Sequence, residues 1–119
     1  MTRILYIDDS DDNRLLVRRL LMAEGFEVEE ANNAPDGIQM ASNNPPDLIL
    51  MDISMPHVDG LTATNQIRTI SHISDITIIA LTANAMQGDR EKILEAGCDG
   101  YISKPINVDS FVDEISQYL

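Results

Sequence analysis

Apolar residues in this chain recur in two rhythms, short runs and three-to-four spacings, and the two alternate from end to end. Arg3-Ile4-Leu5-Tyr6-Ile7, Leu48-Ile49-Leu50-Met51 and Thr77-Ile78-Ile79-Ala80-Leu81 are unbroken runs of four or five, as expected of strands covered on both faces. Phe26-Glu27-Val28-Glu29 alternates apolar and acidic, which predicts a half-exposed edge strand, and Gly100-Tyr101-Ile102-Ser103 reads as a last strand. Helical spacing fills the intervals. Asn13 to Glu24 predicts a helix with Leu16, Leu20 and Leu21 toward a core and Gly25 as its stop. Asn33 caps a second helix with Pro35 in its first turn and Ile38, Met40 and Ala41 as apolar positions, until Asn43-Asn44-Pro45-Pro46 breaks it. A loop from Ser54 to Gly60 leads into a helix from Leu61 to about Ile70. Met86 to Ala96, closed by Gly97, forms another. A final helix carries Val108, Phe111, Val112, Ile115, Tyr118 and Leu119 along one face.

Five strands alternating with five helices predict a doubly wound (βα)5 α/β fold of flavodoxin type, with a parallel sheet, right-handed crossovers and helices on both faces. Of the common doubly wound orders, five strands suit 2-1-3-4-5, whose switch point lies between the first and third strands. The chain contains no repeat, linker or low-complexity stretch, so residues 1–119 read as one domain.

Charge narrows the function classes. Twenty acids against eight bases give a formal charge of −12, which repels nucleic-acid phosphates and anionic membrane faces. No apolar run approaches the ~20 residues that cross a bilayer, and the N-terminus lacks a secretory layout, so a soluble cytoplasmic protein is expected. Cys98 is the single cysteine; it can form no intrachain bridge and is expected to be a small buried residue.

The chemistry gathers at strand ends. Asp8-Asp9 follow the first run, Asp52 the third, Thr82 the fourth and Lys104 the last; parallel strands deliver all of these to one sheet edge, where open α/β folds bind ligands. Carboxylates packed together repel unless a cation compensates, and all-oxygen donors suit Mg2+, with Mn2+ as its substitute. Asp9 and Asp52 are expected to ligate directly, Asp8 through water or as the second carboxylate, and the Ser54 carbonyl to complete the protein shell. With that cation and Lys104 neutralising the incoming oxygens, Asp52 can attack phosphorus, and Thr82 can donate its hydroxyl. The plainer reading of Asp8 to Asp12, a solvated acidic helix start, suffices for Asp11 and Asp12. It leaves Asp8 and Asp9 as charges beside a buried strand.

These motifs, with Met55-Pro56, Asp59-Gly60, Ala80-Leu81-Thr82-Ala83 and Gly100 to Pro105, resemble over essentially the whole chain the receiver domains of two-component response regulators. The resemblance implies that Asp52 is the phosphoacceptor, Asp8 and Asp9 the acidic metal pair, Lys104 the phosphate-binding lysine, and Thr82 with Tyr101 the conformational switch. It also implies a cis Lys104-Pro105 bond, where a base rate of about 5% would otherwise favour trans. The phosphodonor would be a histidine kinase or histidine phosphotransfer protein, and an effector would bind the surface of the fourth helix, fifth strand and fifth helix. The domain would be a monomer or a weak, phosphorylation-dependent dimer, catalysing only its own phosphorylation and slow hydrolysis.

Other signals weaken on inspection. Asp8, Ser10 and Asp12 begin like a calcium loop, but Asn13 and Arg19 stand where its glycine and glutamate belong. His57 and His72 lack partners at ligand spacing and are expected in solvent. A metal-dependent phosphatase forming an aspartyl phosphate would need a general acid two residues beyond Asp52, where Ser54 stands. A receiver that has lost phosphorylation is disfavoured by intact Asp52, Thr82 and Lys104. Thr82 to Met86 and Lys104-Pro105-Ile106 resemble both hybrid-kinase receivers and stand-alone cell-cycle or motility regulators. Met1 favours the stand-alone form. Ser54 and Asn84 flank the site and are expected to tune phosphoryl lifetime.

Overall fold

The computed structural model describes residues 2–53, 60–83 and 90–119. Its strands are β1 (Arg3–Ile7), β2 (Glu27–Ala31), β3 (Leu48–Asp52), β4 (Thr77–Thr82) and β5 (Gly100–Ser103). The helices between and after them are α1 (Asp11–Ala23), α2 (Ala34–Asn43), α3 (Gly60–Arg68), α4 (Arg90–Glu95) and α5 (Phe111–Ser116). All strand pairs are parallel and the order is β2-β1-β3-β4-β5, as the element count predicts.

β3 lies mid-sheet because it is the most completely apolar segment: Leu48, Ile49, Leu50 and Met51 are all sealed from solvent, each worth ~1.5–3 kcal/mol of burial. Alternation along the strands sorts the interior into two layers. Leu5, Ile7, Ile49, Met51, Ile78 and Ala80 face Ala41, Ala63, Ile67 and Ile93 of α2, α3 and α4. Ile4, Tyr6, Leu48, Leu50, Ile79 and Leu81 face Val17 and Leu21 of α1 and Phe111 and Ile115 of α5.

Several boundaries differ from those read in the sequence. α1 begins at Asp11, two residues early, because the Ser10 hydroxyl caps it by accepting from the Asn13 amide at 3.3 Å, and Val17 joins Leu21 as a buried contact. β2 runs on to Ala31, since β1 pairs with it through Ile7. On α5 only Phe111 and Ile115 are buried; Val108 precedes the helix and is exposed, as is Leu119. The Tyr118 ring instead covers Gly100, at a point where a Cβ on β5 would collide with it.

One polar knot ties the N-terminal ends of β4 and β5 together. Arg68, at the end of α3, donates to the carbonyls of Gly97 (2.7 and 2.9 Å), Ser74 (2.8 Å) and Ile76 (2.6 Å) and pairs with Asp99 at 3.0 Å. The same Asp99 carboxylate oxygen accepts the Ile78 amide at 2.9 Å. Gly97, at φ +107°, ends the preceding turn, and a Cβ there would press on the Arg68 stem at 3.1 Å.

Candidate functional site

β1, β3, β4 and β5 all deliver polar side chains to the same sheet edge. Pairing extends past the last strand residues: the Asp8 amide donates to the Ala31 carbonyl at 3.1 Å, and the Lys104 amide to the Thr82 carbonyl at 2.8 Å. Period-two alternation then places Asp8 in line with Ile4 and Tyr6, Asp52 with Leu48 and Leu50, and Lys104 with Ile102, all on the α1/α5 side. Thr82 follows Ile78 and Ala80, and Tyr101 packs with that same layer, on the α2/α3/α4 side.

Carboxylate oxygens of Asp8, Asp9 and Asp52 lie within 4.8 Å of one another. Asp8 is fully buried, Asp52 nearly so, and Asp9 is exposed. The Lys104 ammonium donates to Asp52 Oδ1 at 3.0 Å and stands 4.0 Å from Asp8 Oδ2. Asp8 is gripped by the protein on both oxygens. Its Oδ1 accepts the Ser10 amide at 2.9 Å, and its Oδ2 accepts the Tyr6 hydroxyl and, at 3.4 Å, the Asn13 side-chain amide. Arg14 fixes the turn by donating to the Asp8 backbone carbonyl at 2.6 Å. Gly60 opens α3 directly against β3, where a Cβ would meet the Ile53 Cα at 2.7 Å and the Asp52 carbonyl.

Burial drives the Asp8 carboxyl above its ordinary value of 3.8, and the Asp52 charge adds to the rise. The Tyr6 and Ser10 hydrogen bonds and Lys104 oppose it. Burial, then the Asp8 carboxylate, drives the Tyr6 phenol far upward, so Tyr6 is the donor in their hydrogen bond. Among the described residues, three carboxylates cluster beside the Lys104 ammonium, two of them buried. Hard oxygen donors this close fit a small divalent cation.

On the opposite layer, Thr82 is buried, Ala83 is exposed and Tyr101 is half-exposed. The Arg90 guanidinium lies 5.4 Å from the centre of the Tyr101 ring.

The structure therefore brings Asp8, Asp9, Asp52 and Lys104 together and places Thr82 at the end of the neighbouring strand. The Lys104-Pro105 bond is cis. Asp11 and Asp12 are exposed in the first turn of α1, and Cys98 is buried, with its thiol pushed up by burial. His72 is exposed, although its Nε2 lies 2.8 Å from the Ser42 carbonyl. Ser54, Met55, Pro56, His57, Asp59, Asn84 and Met86 lie outside the described residues. Sequence reasoning missed Tyr6, Asn13, Arg14 and Arg90. For Tyr6 a signal existed, since a tyrosine two residues before a strand-end aspartate shares its face.

A profile of the family described as the response regulator receiver domain matches residues 4–116. The polar-differentiation response regulator DivK of Brucella anthropi is 40% identical over 116 residues, covering 98% of this chain and 94% of that one. The structure of the chemotaxis response regulator CheY4 of Vibrio cholerae superposes with a TM-score of 0.95 at 26% identity, covering 100% and 99% of the two chains. The receiver domain of the sensor histidine kinase PA1611 from Pseudomonas aeruginosa, with a magnesium ion coordinated in its active-site cleft, gives 0.90 at 33% identity, covering 98% and 96%. With strand order and clustered strand-end acids already in place, these likenesses settle the family: this chain belongs to the response regulator receiver domains of two-component signalling.

Proposed function

We propose that Asp52 is the phosphoacceptor of a single receiver domain spanning residues 1–119. The observation that carries this reading is the Lys104 ammonium 3.0 Å from Asp52 Oδ1, at an edge shared with two further carboxylates. An Asp52 carboxylate oxygen attacks phosphorus, the phosphorus–nitrogen bond of a phosphohistidine breaks, and its electron pair leaves with the imidazole, which takes up a proton. Lys104 neutralises one phosphoryl oxygen, and the Thr82 hydroxyl donates to another. Asp8, Asp9, Asp52 and the carbonyl of Ser54 are the residues to hold Mg2+, or Mn2+ in its place. The bound cation supplies positive charge where three carboxylates meet a phosphoryl group. A magnesium ion in the cleft of the PA1611 receiver supports this assignment.

Phosphorylation then draws Thr82 toward the new charge and lets Tyr101 turn inward. Both lie on the layer facing α4, so the change reaches the α4-β5-α5 surface, where an effector protein binds. The phosphodonor is a histidine kinase or a histidine phosphotransfer protein, and the domain works in the cytoplasm as a monomer or a weak, phosphorylation-dependent dimer. No helix among the described residues is long and apolar enough to cross a membrane. It turns over no external substrate.

The test is intact mass after incubation with acetyl phosphate or phosphoramidate and Mg2+, beside an Asp52→Asn variant. One base-labile phosphoryl group, absent from the variant and from a chelated control, is expected. No adduct would overturn the phosphoacceptor reading, and steady phosphate release would identify a phosphatase instead.

A further inference from the structure

We infer that Tyr6 is a positioning residue of the cation site, acting through Asp8. Tyr6 is the largest side chain wholly sealed in the α1/α5 layer, and nothing apolar about that layer calls for a hydroxyl there. A buried phenol costs stability unless it is paired. It is paired, and its partner is the buried Asp8 Oδ2.

Geometry makes the contact obligatory. Residues 6 and 8 stand on one face of the same strand, the Asp8 amide is pinned to Ala31, and the Arg14 guanidinium holds the Asp8 carbonyl. With the Ser10 amide on Oδ1 and Tyr6 on Oδ2, the carboxylate has its rotation about the Cβ–Cγ bond fixed from two sides. Asp9 is exposed and has no comparable burial to orient it. Asp8 is thus held in a fixed orientation by donors from the protein itself, and Tyr6, with Asn13 beside it on Oδ2, supplies part of that orientation. Donors to metal-binding groups from outside the coordination shell commonly govern affinity by 10–100-fold. Tyr6 holds that place here.

This inference rests on the metal-site reading above, and two measurements separate them. Mn2+ affinity is measured by the signal of the free ion in wild type and in Tyr6→Phe, which keeps the ring in the core. A loss of about tenfold in the variant, with its circular dichroism unchanged, is expected. The chain has three tyrosines and no tryptophan, so a Tyr101→Phe/Tyr118→Phe protein leaves Tyr6 as the sole tyrosine. Its ultraviolet difference spectrum should change on Mg2+ addition and saturate with the Mg2+ affinity found by Mn2+ competition. That change would report the arriving cation through the Tyr6–Asp8 hydrogen bond. A folded Tyr6→Phe that binds Mn2+ as wild type does, or Mg2+ binding that leaves the Tyr6 spectrum unmoved, overturns the role of Tyr6 while the cation site stands. Wild type that binds no Mn2+ overturns both. Should Tyr6→Phe fail to fold, the sole-tyrosine titration decides.

Discussion

Two polar networks stand at opposite ends of the sheet, and they differ in whether their charge closes. At the N-terminal ends of β4 and β5, the Arg68 guanidinium meets one carboxylate and three backbone carbonyls, so its donors are consumed within the protein. At the C-terminal edge, among the described residues, three carboxylates cluster beside an ammonium that pairs with Asp52 and approaches Asp8. The first network has the composition of a fastener. The second has the composition of a site that could hold a divalent cation.

Substitutions can test that contrast. Asp52→Asn has the largest expected effect: phosphoryl incorporation falls to zero by mass, while the melting temperature holds or rises because a buried negative charge is gone. Arg68→Ala should do the reverse, costing about 3 kcal/mol, or roughly 10 °C in melting temperature, as three carbonyls and Asp99 lose their donor. Labelling per folded molecule should not change. If Arg68→Ala abolished labelling at a temperature where it remained folded, the division between fastener and site would collapse.

Asp8→Asn sharpens the comparison. In the metal-free protein the Asp8 carboxyl is held above 3.8 by burial and by Asp52. From about pH 4 up to that raised value, the folded chain keeps a proton that the unfolded chain has released, so stability falls as pH rises through this window. Asp8→Asn should flatten that fall and raise the melting temperature at pH 7 by ~4 °C, equivalent to roughly 1 kcal/mol, while weakening Mn2+ binding. Melting curves across pH 4–8 in chelator check the slope. The smallest effect belongs to Arg90→Ala, which removes a surface cation from the Tyr101 ring at about 0.5 kcal/mol. Its readout is tyrosine fluorescence, which should shift in the unphosphorylated protein.

Most of the edge could be read from residue order, for a geometric reason. A parallel sheet points every strand the same way, so Asp8, Asp52, Thr82 and Lys104 are neighbours by topology before any contact is known. Tyr6 was hidden because a tyrosine inside an apolar run is an ordinary strand former, and only the direction of its hydroxyl distinguishes it. The Arg68 knot was hidden more deeply, since it joins residues as far apart as 68 and 97 mostly through backbone carbonyls, which carry no residue-type signature. α1 starts two residues before the apolar spacing that predicts it, because its first turn is built from the exposed Asp11 and Asp12 behind the Ser10 cap and carries no apolar signal.

β2 carries a consequence of a different kind. It is an outer strand of the sheet, and its Glu27, Glu29 and Glu30 are tied to Arg3, Arg14 and Arg18 of the same molecule. A second copy laid parallel and in register along that open rim would set each glutamate against its own counterpart, with the arginines already engaged. The rim thereby discourages the sheet from growing from one molecule into the next.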